Sequence, residues 1–159
     1  MYFKTFQTNE IIDDWILHVQ KFIEMNPDAK IAVGSDSKYK KASKKVIYVT
    51  VIAMFYYGTD GYNKGAHLIY SMDKHKKELS IFEMLWTEVE KSKCIAEEIQ
   101  DILQEPVEIH IDLNSEAKYK SNIAYPAAVG WLKSLGFDVF AKPNAPAATC
   151  AADLIANRK

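Results

Sequence analysis

Apolar residues recur at helical spacing from Thr8 to Met25, where Ile11, Ile12, Trp15, Ile16, Val19, Phe22 and Ile23 fall on one side. The pattern predicts an amphipathic helix capped by Thr8 and ended at Asn26-Pro27. Ile31 to Asp36 reads as a short strand, and Ser37 to Lys45 as a basic turn. Val46 to Tyr57 is β-branched and aromatic and apolar on both faces, the signature of a central strand covered from both sides. Gly58-Thr59-Asp60-Gly61 is a turn signal, after which Ala66 to Met72 can return antiparallel.

The strongest helix runs from Ser80 to Leu103, with Ser80 and Glu83 at capping-box spacing and a stripe through Leu85, Val89, Ser92, Ala96 and Ile99. Val107 to Asp112 is the next strand. A helix around Ala124 to Ser134 ends at Leu135-Gly136, and Phe137 to Ala141 is the last strand. Pro143 and Pro146 precede a terminal helix from about Ala147. After the first helix the order is β-β-β-α-β-α-β-α. Three strands on short turns followed by strands alternating with helices imply an α/β domain with a mixed sheet and helices on both faces.

The 159 residues suit one domain, 1–159, with residues 1–28 as an additional N-terminal helix. A net charge of −1 advertises no global affinity for nucleic acid, so any basic surface is local. Two cysteines, Cys94 and Cys150, form no disulfide framework and suit a reducing compartment. The N-terminus has no secretory pattern, and Val46 to Tyr57 is too short to span a bilayer as a helix. The expectation is a cytoplasmic protein with no membrane partner.

Four acids stand where they should be buried. Asp36 and Asp112 each end a strand-like run, Glu88 lies on the apolar side of its helix, and Asp153 sits among alanines. At about 100° per residue, Glu88 falls within about 40° of the centre of the apolar stripe, whereas Glu83, Glu90, Glu97 and Asp101 fall opposite. Buried carboxylates are costly and repel one another. A divalent cation is the usual remedy, and acids with Mg²⁺ or Mn²⁺ serve phosphodiester chemistry. Blander readings stand beside each: a turn aspartate for Asp36, a snorkelling edge residue for Glu88, a polar helix face for Asp153.

Gly34 shares a face with Asp36, which leaves room beneath the acid for a ligand or metal. His110 reads as a hydrogen-bonded core histidine. Asn114 is either a ligand-binding residue or an ordinary loop asparagine. Lysines cluster at Lys38, Lys40, Lys41, Lys44 and Lys45 and at Lys74, Lys76 and Lys77, with Lys118, Lys120, Lys142, Arg158 and Lys159 in addition. With Tyr39 and Tyr119 interleaved, they could meet phosphates and bases, or simply be solvated loops.

Val33-Gly34-Ser35-Asp36-Ser37, Glu88-Val89-Glu90-Lys91-Ser92, Glu108-Ile109-His110-Ile111-Asp112-Leu113-Asn114, Gly136-Phe137 with Lys142-Pro143, and Ala151-Ala152-Asp153 resemble the YkuK-type ribonuclease H-like family in order and spacing. The resemblance implies a five-stranded mixed sheet of order 3-2-1-4-5, with Asp36, Glu88, Asp112 and Asp153 as catalytic and metal-binding acids. It implies a nuclease with two Mg²⁺ or Mn²⁺ ions, one activating water and one stabilising the leaving 3′ oxygen. Ser37, Lys38, Asn114 and Lys142 would contact the nucleic-acid substrate. Proofreading exonucleases of this superfamily place a glutamate where this chain has Lys38, which argues against that branch. The alternative is a non-catalytic nucleic-acid- or protein-binding module on the same fold.

Overall fold

A computed structural model describes residues 1–61, 63–76 and 80–157. The elements are strands β1 (Phe3–Thr5) and β2 (Ile11–Ile12), helix α1 (Trp15–Met25), strands β3 (Lys30–Lys40), β4 (Lys45–Tyr57) and β5 (Asn63–Lys76), helix α2 (Ile81–Leu103), strand β6 (Val107–Ile111), helix α3 (Tyr125–Ser134), strand β7 (Asp138–Ala141) and a short helix α4 (Asp153–Ala156). A π-helical turn, Ala147–Ala152, leads into α4. They build one mixed seven-stranded sheet of order β2-β1-β5-β4-β3-β6-β7. The pairs β3–β4 and β4–β5 are antiparallel, and β6 runs parallel to both β3 and β7.

Strand count and order correct the five-stranded expectation. The run β5-β4-β3-β6-β7 is extended by two strands from the N-terminal segment. Residues 1–28 are therefore not one helix. Thr8 lies between β1 and β2, and the cap of α1 is Asp14, whose carboxylate accepts from Leu17 N at 2.9 Å. Strands of three and two residues are too short to print an alternation over the helical spacing of their neighbours. Phe3 on β1 is fully buried and packs at a tilt against Trp15, and His18 meets His67 of β5 at 2.8 Å, which fastens α1 to this edge.

β3 also runs further than expected. Ser37 to Lys40 continue the ladder opposite Tyr48 to Lys45, so Asp36, Ser37 and Lys38 lie inside a strand and not at its end or in a turn. The turn is shorter, at Lys41 to Lys44, with Lys44 at φ 52°. The α2 capping box forms as the spacing requires: Ser80 N donates to Glu83 Oε2 at 2.6 Å, and Glu83 N to Ser80 Oγ at 3.3 Å.

Each face of the sheet has its own cover. Ile31, Val33, Ile52, Met54, Ile109 and Ile111 pack under α1, α2 and α3 around Val89, Ile95, Ile99 and Leu132. Ala32, Val49, Val51 and Ala53 pack under the C-terminal turns, which offer Ala147, Ala151, Ala152, Ile155 and Ala156. Small side chains let this second layer lie close. A Cβ built on Gly34 would stand 2.5 Å from Ala148 N and 2.9 Å from the Ala147 carbonyl carbon. The space above Gly34 is thus filled by backbone and is not a vacancy for a ligand.

Gly34→Ala should therefore destabilise the protein by about 1–3 kcal/mol, because main chain cannot swing aside as a side chain can. Urea denaturation checks this. An unchanged midpoint would contradict so tight an approach.

Candidate active site

Parallel register brings the two strand aspartates together. Gly34 pairs with His110 and Ser35 with Ile111, so Asp36 and Asp112 follow side by side, on the face of Gly34 and His110. The C-terminal turns cover that face. His110 Nδ1 accepts from Ala147 N at 3.2 Å, and its Nε2 donates to Glu108 Oε2 at 3.3 Å. His110 thus anchors the start of the terminal segment. Burial holds its pKa below the ordinary imidazole value, against the pull of Glu108. From this anchor the π-helical turn carries Asp153 to where its charge is felt by both Asp36 and Lys142. Asp153 is nevertheless exposed, and its Oδ1 accepts from Asn157 Nδ2 at 2.6 Å, so it is not the buried acid that its alanine neighbours suggested.

Lys142, just past β7, stands in this group. Its Nζ lies 2.6 Å from Asp112 Oδ1. Burial works against the ammonium, but Asp112, Asp36 and Asp153 together hold its pKa above the ordinary lysine value. Among the described residues no ammonium pairs with Asp36, which is pushed up to about 7, first by burial, then by Asp112 and Asp153, while Ser37 N and Lys142 oppose the shift.

Glu88 reaches β3 from the other side of the sheet. α2 packs over Ser35 and Ser37, and Ser37 Oγ donates to Glu88 Oε1 at 2.6 Å. Glu88 is 5% exposed, whereas Glu90, two residues on, is exposed and accepts from Trp86 Nε1 at 3.0 Å. Burial raises the Glu88 pKa well above the usual carboxylate range, and Asp36 and Asp112 add to the shift although the Ser37 hydroxyl resists it. Beneath Glu88 runs a hydroxyl chain that the sequence reading missed. Ser92 Oγ donates to the Glu88 carbonyl at 3.1 Å or to Ser35 Oγ at 2.9 Å, and Ser35 Oγ meets Thr50 Oγ1 at 2.9 Å. Its signal was present: Thr50 is polar in the apolar run of β4, and Ser92 lies on the apolar stripe of α2.

The expected substrate contacts divide. Lys38 lies on the sheet face of Asp36, and Lys142 sits within the acid group. Ser37 faces α2 and is occupied by Glu88. Asn114 serves its own loop: its N donates to Ser121 Oγ at 3.2 Å, its carbonyl accepts from Asn122 Nδ2 at 3.1 Å, and its side chain accepts from Glu116 N at 3.4 Å. Lys77, Arg158 and Lys159 lie outside the described residues.

The donors suit a hard cation, since all are carboxylate oxygens and, among the described residues, their charges exceed the one ammonium beside them. Their spacing is open: among the described residues, no three His, Cys, Asp or Glu side chains stand close enough to hold one ion. Without a cation the strain falls on Asp36. Its folded pKa lies above the ordinary 3.8, so its contribution to stability is complete below about pH 4 and is lost as pH rises through about 7. Asp36→Asn should accordingly be more stable than the parent at pH 8 in chelator, by on the order of 2 kcal/mol, with little difference at pH 4. Urea melts at the two pH values test this, and a less stable Asp36→Asn at pH 8 would contradict the electrostatic picture.

A comparison with curated proteins finds no match. The family described as Ribonuclease H-like matches residues 14–157. That match spans α1, β3 to β7 and the C-terminal turns that carry Asp153, and leaves out only β1 and β2 among the strands. The chain belongs to the ribonuclease H-like family.

Proposed function

We propose that the protein is a metal-dependent nuclease of the YkuK-type branch that hydrolyses phosphodiester bonds. The supporting observation is the convergence of Asp36, Asp112 and Asp153 around Lys142 on one face of the sheet, with Glu88 pressed on the same strand from behind. Asp36, Glu88, Asp112 and Asp153 would hold Mg²⁺ or Mn²⁺, two ions in the full reading. Bound there, such ions supply Lewis-acid stabilisation of charge at phosphorus and its leaving oxygen and lower the pKa of water.

The protein's own groups then have separable roles. Asp36, pushed up to about 7 by burial and its acidic neighbours, would be held ionised by a bound cation and so act as a ligand. Lys142 presents a half-exposed ammonium, paired with Asp112, that can pass to a phosphate oxygen. Ser37 holds the Glu88 carboxylate in place, and the Ser92–Ser35–Thr50 chain ties α2 to the strands that carry the acids. A second reading, a non-catalytic nucleic-acid- or protein-binding module, is favoured by one observation: Lys142 already neutralises Asp112, and the acids do not close around a single ion.

The test is cleavage of labelled single-stranded, duplex, hybrid and branched nucleic acids with Mn²⁺. Asp36→Asn and Glu88→Gln should each lower cleavage on the order of a hundredfold or more. Glu90→Gln, on the exposed side of the same helix, should stay close to the parent. The parent should also gain more thermal stability from Mn²⁺ than Glu88→Gln does. Equal behaviour of Glu88→Gln and Glu90→Gln would reject the assignment and favour the non-catalytic module.

A further inference from the structure

Among the described residues, the C-terminal turns cover only part of the sheet face that carries Asp36. A groove of about 480 Å³ lies across β5 and the N-terminal extension, lined by Tyr2, Lys4, Tyr70, Met72, Asp73 and Lys74. Register ties it to the acids. Asp36 pairs with Val49 and Val49 with Met72, while Lys38 pairs with Ile47 and Ile47 with Lys74. At about 4.8 Å per strand, the floor of the groove at Met72 lies about 10 Å from Asp36 on the same face. β1 extends the row, since Lys4 pairs with Tyr70.

We propose that this groove is a track for single-stranded nucleic acid leading to the acid cluster, with the N-terminal extension supplying one wall. The proposal deepens the nuclease reading and rests on it for the chemistry at the end of the track. Lys4, Lys38 and Lys74 are among the ammonium groups on this face. Asp73 at the groove margin is neutralised by Lys91, 2.6 Å away. Such a surface complements a polyanion. Tyr2 is 56% exposed, with Lys4 Nζ 5.7 Å from its ring centre, so one wall offers a stacking plane and a cation together. That pairing suits an unpaired base and its phosphate. The Tyr70 hydroxyl donates to Asn9 Oδ1 at 2.8 Å and so fastens the β1–β2 hairpin to the groove floor.

The test is fluorescence anisotropy of a short labelled single-stranded oligonucleotide with the full chain in chelator, so that binding is read apart from cleavage. Lys4→Gln/Lys74→Gln should weaken binding about tenfold or more at low salt and flatten the log–log salt slope by about 1.4, at about 0.7 per lost phosphate contact. Tyr2→Ala should weaken it about fivefold or more. Lys133→Gln, on exposed α3, should bind as the parent does. Parent-like binding by Lys4→Gln/Lys74→Gln, or no binding by the parent at low salt, would overturn the track. A preference for duplex with Tyr2→Ala silent would overturn the single-strand assignment. Binding that follows these variants without cleavage under Mn²⁺ would leave the track standing and remove the nuclease reading.

Discussion

Like charges held in a half-buried site are the constraint on which this structure turns. Asp36 and Asp112 are neighbours because β3 and β6 run parallel in a fixed register. Asp153 joins them because alanines and Gly34 let the C-terminal turns lie against the strands. Burial and repulsion leave Asp36 titrating near 7, and Glu88 is raised well above the carboxylate range. The Lys142 ammonium meets this charge at Asp112. An arrangement that costs stability at neutral pH and sits at one edge of a well-packed sheet is the kind of local conflict that marks a functional site.

The two covers of the sheet divide the labour. α2 presents Glu88 and secures itself through hydroxyls, so a polar layer lies beneath the acid and the apolar core begins further along the helix. The C-terminal turns present Asp153, and their start is pinned by His110 from within the sheet. Replacing the hydroxyls would leave buried partners unsatisfied, which is why this layer bears on the site although none of its members touches the other face.

Much of this was legible because strong periodicity leaves few alternatives. The phase of α2 separated Glu88 from Glu90 without any structure, and the Ser80–Glu83 pair marked the helix start. The continuous apolar run of β4 placed it centrally. What failed to show did so for identifiable reasons. Ser37 to Lys40 extend β3 without an apolar face, since one side meets Glu88 and the other is open, so their polarity reads as a turn. β1 and β2 are too brief to interrupt a helical pattern. Gly34 invites the idea of a ligand space until the turns of Ala147 and Ala148 are seen to fill it. The pairing of Lys142 with Asp112 depends on β7 lying beside β6, a contact that no local pattern reports.

A divalent cation held among these acids would compete with the Lys142 ammonium for Asp112. The most direct test is a crystal of the protein soaked in Mn²⁺ and measured at the manganese absorption edge. The expected result is anomalous density among Asp36, Asp112 and the neighbouring carboxylates, with the Lys142 ammonium displaced from Asp112. Lys142 still paired with Asp112, and no anomalous density at the acids in saturating Mn²⁺, would contradict it.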